Sequence, residues 1–290
     1  MDSNVLLHKI SPILSVSSCI ILSIIYVSSL YVWSTEHNRD HPTTIKKRFL
    51  SVFIVMLISP AFIYLFTSNE ILEGRSIWAV MGFRTEGLWM ALFTPLILTA
   101  ILFLGPLMTQ ALNGIWDIYA DPNYWAMCLQ NLLWIRNHVV APLSEEFTFR
   151  ACMMPLLLQS FKPLSAVAIT PMFFGIGHLH HIIERLRAGL PLKTILIVSG
   201  IQFCYTSIFG MYAAYLFART GHFMAPVVAH AFCNHMGFPD VNEVLNQPTR
   251  TKHILLATYV IGFVAWIYLL PVVTDPTWYA NDLYWTKESS

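Results

Sequence analysis

The sequence predicts an all-α, polytopic integral membrane protein, and three observations carry that expectation. Of the 290 residues, 56% are hydrophobic and 11% charged, with a mean hydropathy of +0.58, whereas a soluble domain carries roughly 25% charged residues. Apolar runs of the ~20 residues needed to cross the hydrocarbon layer recur along the chain. Inside those runs the polar groups gather into three clusters: Glu145-Glu146-Phe-Thr-Phe-Arg150, Phe174-Gly-Ile-Gly-His178 and His230-Ala-Phe-Cys-Asn234. Ionisable groups at such depth are costly and read as functional by default.

Dividing the runs at charges and at Pro or Asn clusters gives about eight transmembrane helices in a single domain spanning 1–290, at approximately 11–33, 49–67, 88–108, 137–160, 164–182, 194–218, 222–238 and 253–273. The fourth, fifth and seventh are short or polar and hold the three clusters, as core helices should. The first run, Ile10 to Trp33, exceeds a signal-peptide core and has no A-x-A-like exit, so it is expected to stay as an anchor. Residues 1–134 also contain Asn113 to Trp134, whose Trp, Tyr and Asp mixed with apolar residues suit an interfacial helix.

Loop cations set the orientation. With the N-terminus outside, Arg39, Lys46, Lys47, Arg48, Arg136, Arg185, Arg187, Lys193, Arg250 and Lys252 fall on the cytoplasmic side, against the smaller set Lys9, Arg75, Arg84, Lys162, Arg219 and Lys287. A net charge of +1 with no basic stripe sets nucleic-acid binding aside. The five cysteines, Cys19, Cys128, Cys152, Cys204 and Cys233, are scattered singly without CxxC or framework spacing and read as reduced apolar fillers.

On a helix, Glu146 and Arg150 stand four apart with the acid nearer the N-terminus, the favourable order for an ion pair. Glu145 points about 100° away and can face a cavity, leaving one carboxylate free for chemistry; a purely structural buried network is the alternative. His178 lies deepest of the three histidines in its run, where a low-dielectric site keeps an imidazole neutral and able to accept a proton. His180 and His181 meet the interface beside Glu184, Arg185 and Arg187. His230 and Asn234, again four apart, leave one helix on the same side and can donate to a single atom, as an oxyanion hole requires; interhelical hydrogen bonding is the alternative. His235 faces elsewhere. Amide hydrolysis needs an activated water, donors for the tetrahedral oxyanion and a proton for the departing nitrogen, and these residues can supply all three.

The three motifs, EExxxR, FxxxH and HxxxN in that order, resemble those of the type II CAAX prenyl endopeptidases within the broader abortive-infection family of intramembrane proteases, and the flanking residues look like the eukaryotic members. The similarity covers a catalytic core of approximately 135–239. It implies a conical intramembrane catalytic cavity in which Glu145 and His178 activate water while His230 and Asn234 stabilise the transition state, with Glu146, Arg150 and Phe174 supporting and no cofactor or metal. It further implies substrates that are farnesylated or geranylgeranylated CAAX proteins such as Ras-like small GTPases, loss of their last three residues, and a site in the endoplasmic reticulum membrane open to the cytosol. Lipidation suits such a site, since it contributes about 0.8 kcal/mol per buried CH₂ and brings the peptide tail to the bilayer lipid.

Three rival readings remain at this point. Zinc held by Glu145, His178 and His230 would leave one coordination position open, although no HExxH occurs. A cysteine protease would use Cys152 or Cys233. A transporter or scaffold would line a polar path with the same charges, although no repeated halves are evident.

Overall fold

The computed structural model describes residues 10–34, 37–67, 69–72 and 74–285, with backbone alone for 69 and 70. The orientation residues Lys9 and Lys287 lie outside them. The described residues form helices and no strand. We label the principal ones α1 (Pro12–Ser29), α2 (Pro42–Phe66), α3 (Leu88–Leu102), α4 (Leu104–Leu112), α5 (132–158), α6 (Pro163–Arg187), α7 (Leu192–Thr220), α8 (Met224–Met236) and α9 (Thr249–Val273).

Local sequence explains where these helices start. Ser11 accepts the Leu14 N–H ahead of Pro12, and His41 accepts the Thr43 N–H ahead of Pro42, so each start pairs a side-chain cap with a proline whose missing N–H costs nothing there. Helix α2 thus begins seven residues before the expected span, and Lys46, Lys47 and Arg48 belong to its first turns instead of to a loop. Pro106 explains the 73° break between α3 and α4: its ring would clash with the carbonyl four residues back, at Leu102, so the expected third span bends at Phe103.

By length and composition, five described helices can each cross a membrane, or six if α3 and α4 together make one bent span. The expected eight is reached only by adding α5 and α8, which fail that measure for physical reasons. Helix α5 carries Glu145, Glu146 and Arg150, and α8 has 13 residues, about 20 Å of helix. Other helices enclose the second half of α5 and the first half of α8. Residues 146–158 of α5 are buried throughout, packed against Cys19, Leu22 and Tyr26 of α1, Val52 and Val55 of α2, Phe174 of α6 and Phe217 of α7. Helix α8 sets Ala225 and Ala229 against Ala91 and Leu98 of α3 and Leu216 of α7.

The outer helices present the opposite pattern. Helix α9 buries only Leu255 and Gly262 and turns Val260, Ile261 and Phe263 outward, as a lipid-facing helix must. Its approach to the bend needs small residues: a Cβ on Gly262 would lie 2.5 Å from the Ile101 carbonyl oxygen, and one on Gly105 would enter the Tyr259 ring. At the far end, Arg84 donates to the carbonyls of Thr220, Gly221, Tyr279 and Ala280, tying the end of α7 to the C-terminal turn.

The expected interfacial helix is two short helices, Ile115–Ala120 and Pro122–Gln130, because Asp121-Pro122 stops one and caps the next. Of the cysteines, Cys19, Cys128 and Cys152 are buried fillers as expected; Cys204 is exposed and Cys233 half-buried.

Candidate active site

Helix α5 places the first cluster, and its proline spacing shapes it. The run contains two π-helical turns, Arg136–Val140 and Phe147–Cys152. Each holds the residue four before a proline, His138 before Pro142 and Ala151 before Pro155, where a regular α-turn would drive the ring into a carbonyl. In the first wide turn the Ala141 N–H bonds to the Arg136 carbonyl. The following residue is Pro142, which has no N–H for the Asn137 carbonyl. That carbonyl instead accepts the Asn234 carboxamide at 2.8 Å, which couples α8 to α5.

Glu146 and Arg150 form the expected ion pair at 2.9 Å, both side chains fully buried. Arg150 also donates to the Gly210 carbonyl at 3.1 Å and stacks over Phe174, 4.5 Å from its ring centre. The same Glu146 oxygen accepts His230 Nδ1 at 2.6 Å. Glu146 is therefore the fixed member of the pair. Glu145, on the neighbouring face, lines the cavities with an 18% exposed side chain, and His230 Nε2 lies 3.8 Å from it.

His178 ends the regular part of α6. Its Nδ1 donates to the Phe174 carbonyl at 2.8 Å; since a carbonyl can only accept, the ring carries its proton on Nδ1 and leaves the Nε2 lone pair free. Phe174 meets the His178 ring edge to face at 4.7 Å and the Phe149 ring at 5.1 Å, so it orients the imidazole as well as covering Arg150.

Glu145, His178, His230 and Asn234 all line one cavity of about 1010 Å³, whose remaining wall is mostly apolar and includes Ile201, Tyr205, Ile208, Met211 and Phe238. Glu145 and His178 also line a smaller polar cavity of about 200 Å³ with Tyr26, Arg39, Arg48, Arg136 and Ser144. The expected four residues thus come together from three helices. Sequence reading missed the contribution of the first two spans: Tyr26 bonds Ser144 at 3.0 Å, and Arg39 and Arg48 had looked like ordinary loop cations. Arg48 sits seven residues after the His41–Pro42 start signal of α2, which is the one sequence cue that it points back into the protein.

Of the other groups, His180 and His181 line the small polar cavity as well, and His181 also the large one. His181 pairs with Glu184 at 2.9 Å, and Glu184 also takes Arg39 and Arg48 at 3.2 Å each. Among the described residues, the three ligand-type side chains whose donor atoms lie mutually within 4.8 Å are His180, His181 and Glu184. The zinc set Glu145, His178 and His230 does not converge in that way. His235 stacks on Trp125, away from the cluster as expected. Cys152 is fully buried, which removes it as a nucleophile, while Cys233 lines the large cavity wall.

Fold and site together define a multi-pass, helical membrane protein with ionisable side chains gathered on the wall of an interior cavity. Residues 128–236 match the family described as type II CAAX prenyl endopeptidase Rce1-like. Over 276 residues the chain is 46% identical to CAAX prenyl protease 2 of Homo sapiens, covering 92% of this chain and 83% of that one. Identity to the protein of that name from Rattus norvegicus is 42% over 274 residues (92% and 82%), and to the one from Caenorhabditis elegans 33% over 261 residues (88% and 95%). No solved structure matches at the same stringency. The chain belongs to the type II CAAX prenyl endopeptidase family and is a protease.

Proposed function

We propose that the protein removes the C-terminal tripeptide from farnesylated or geranylgeranylated CAAX proteins, Ras-like small GTPases among them, by metal-free hydrolysis inside the endoplasmic reticulum membrane. The observation that carries this reading is the convergence of Glu145, His178, His230 and Asn234 on one cavity whose other walls are apolar. An isoprenoid needs such a wall, and a peptide bond needs such a polar end. The polar cavity is lined by Arg39, Arg48 and Arg136, cations of the set expected on the cytoplasmic side, which supports entry of the peptide from the cytosol.

In the proposed reaction a water lies between Glu145 and the free Nε2 of His178. These bases take its proton as its oxygen attacks the carbonyl carbon of the prenylated cysteine. Negative charge then develops on the carbonyl oxygen. The second N–H of the Asn234 carboxamide, whose first is held by Asn137, donates to it; so does His230 Nε2 when that ring carries both protons, Nδ1 being given to Glu146. As the C–N bond breaks, the proton passes to the departing nitrogen, leaving a prenylcysteine carboxylate and a free tripeptide. Glu146 and Arg150 hold His230 in place from behind the cavity wall, and Phe174, which orients His178, forms part of that wall.

The test is incubation of purified protein in detergent with a farnesylated CAAX peptide, with mass analysis for the tripeptide. Wild type is expected to release it even in excess chelator, and folded Glu145→Gln to lose roughly 10²–10⁴-fold in rate. Cleavage retained in Glu145→Gln would remove the catalytic assignment, and chelator-sensitive cleavage would revive a metal.

A further inference from the structure

Three cavities follow one another through shared lining residues. The large apolar cavity and the small polar one share Glu145 and His178. The small one in turn shares Arg39 and Arg48 with an outer vestibule of about 730 Å³ that Lys47, Glu184 and Arg187 also line. For a chain with its lipid in the first cavity and its scissile bond at Glu145, the small polar cavity that Glu145 shares with Arg48 is open to the residues after that bond. Among the described residues, the two polar cavities are lined by five cations, Arg39, Lys47, Arg48, Arg136 and Arg187, against the carboxylates Glu145 and Glu184, with Asp40 paired to Arg39 and Arg136 beside them. A partly buried excess of positive charge is costly unless an anion completes it.

The three arginines that line the small polar cavity differ in what they already hold. Arg136 is committed, its Nη1 donating to Asp40 Oδ1 at 2.8 Å and to the Arg39 carbonyl, and its Nε to Asn137 Oδ1; this contact keeps the Asp40 carboxyl below the usual carboxylate range. Arg39 is 45% exposed and pairs with both Asp40 and Glu184. Arg48 is 17% exposed and has one ion pair, through Nη2 to a Glu184 that Arg39, His181 and Tyr31 also claim. Its Nε is buried with no acceptor, and its guanidinium lies over the Tyr31 ring. Five N–H donors on a planar fork are made for a carboxylate, and Arg48 spends few of them.

We propose that Arg48 recognises the free C-terminal carboxylate of the substrate, so that the site measures the short distance from scissile bond to chain end. This rests on the protease reading above and deepens it. Three extended residues span at most about 10 Å, so one small cavity between Glu145 and Arg48 can select a tripeptide leaving group where a longer tail would overrun the arginine. The same charge excess disfavours the alternative threading, in which the upstream chain, with no terminal anion, occupies the polar cavity.

The test uses full-length protein and two farnesylated peptides of one sequence, ending in a carboxylate or a carboxamide, with kcat/KM measured for each. Wild type is expected to prefer the acid by about ten- to a hundred-fold, the worth of one charge-assisted hydrogen-bond pair. In Arg48→Gln the ratio should fall to within about two-fold of unity, and in Arg48→Lys to an intermediate value, because a point charge lacks the fork. Loss of folded enzyme lowers both rates together and leaves the ratio unmoved, and the wild-type ratio stands independently of any variant. Equal wild-type rates on acid and amide, or an unchanged ratio in Arg48→Gln, overturn the proposal while the protease reading stands. Failure of wild type to cleave either peptide overturns both.

Discussion

Asn234 is held by one hydrogen bond to a backbone carbonyl and exposes the rest of its carboxamide to the cavity, so its truncation should touch chemistry more than folding. Asn234→Ala is expected to lower kcat by about 10²–10³-fold, the usual cost of one oxyanion donor, with little change in thermal midpoint; single-turnover kinetics on a prenylated peptide would decide. Arg150 should behave in the opposite way. Removing it leaves Glu146 charged and fully buried, so Arg150→Ala should destabilise the protein by about 3–5 kcal/mol, seen as a lower unfolding temperature in detergent. Changing both, Glu146→Leu with Arg150→Leu, should recover much of that stability but not activity, because His230 would lose the acceptor that orients it.

Among the elements, α5 shows how a sequence can encode geometry through what it lacks. Pro142 withholds the N–H that the Asn137 carbonyl would otherwise take, and Asn234 answers from α8. Pro142→Ala should restore that backbone bond and release the carboxamide. A drop in kcat of about ten-fold is expected, from partial loss of a preorganised donor, while thermal stability holds or rises; an unchanged kcat would show that the coupling does not matter. Between α4 and α9 the dependence is steric. Gly262→Leu would press into the Ile101 carbonyl and the Leu104 side chain and should lower the unfolding temperature without altering KM in the enzyme that remains folded.

For the whole molecule, the apolar cavity and the polar one that shares Glu145 and His178 with it make substrate binding depend on lipid length. Each buried CH₂ contributes about 0.8 kcal/mol, about four-fold in affinity, so a peptide with a shortened isoprenoid should show KM rising about four-fold for each buried carbon removed and an unprenylated peptide should bind too weakly to saturate. A KM indifferent to lipid length would place the isoprenoid outside the cavity. The same arrangement explains why the site draws on residues from both ends of the chain. Tyr26, Arg39 and Arg48 come from before residue 50, whereas Asn234 lies beyond residue 230.

Composition and hydropathy determined the class of molecule, because a chain so apolar with charges so clustered has few stable environments other than a membrane interior. Four-residue spacing on helices determined which side chains could share a face, so the buried Glu146–Arg150 pair and the common side of His230 and Asn234 were legible without coordinates. Helix count was less legible, since α5 and α8 are shielded by protein and need not be apolar or long enough to face lipid. Only the tertiary structure decided that Arg48 lines the polar cavities and that Pro142 lends a carbonyl to Asn234. Those facts depend on which distant helices meet, and the pattern of one helix carries no record of the acceptor another will offer it.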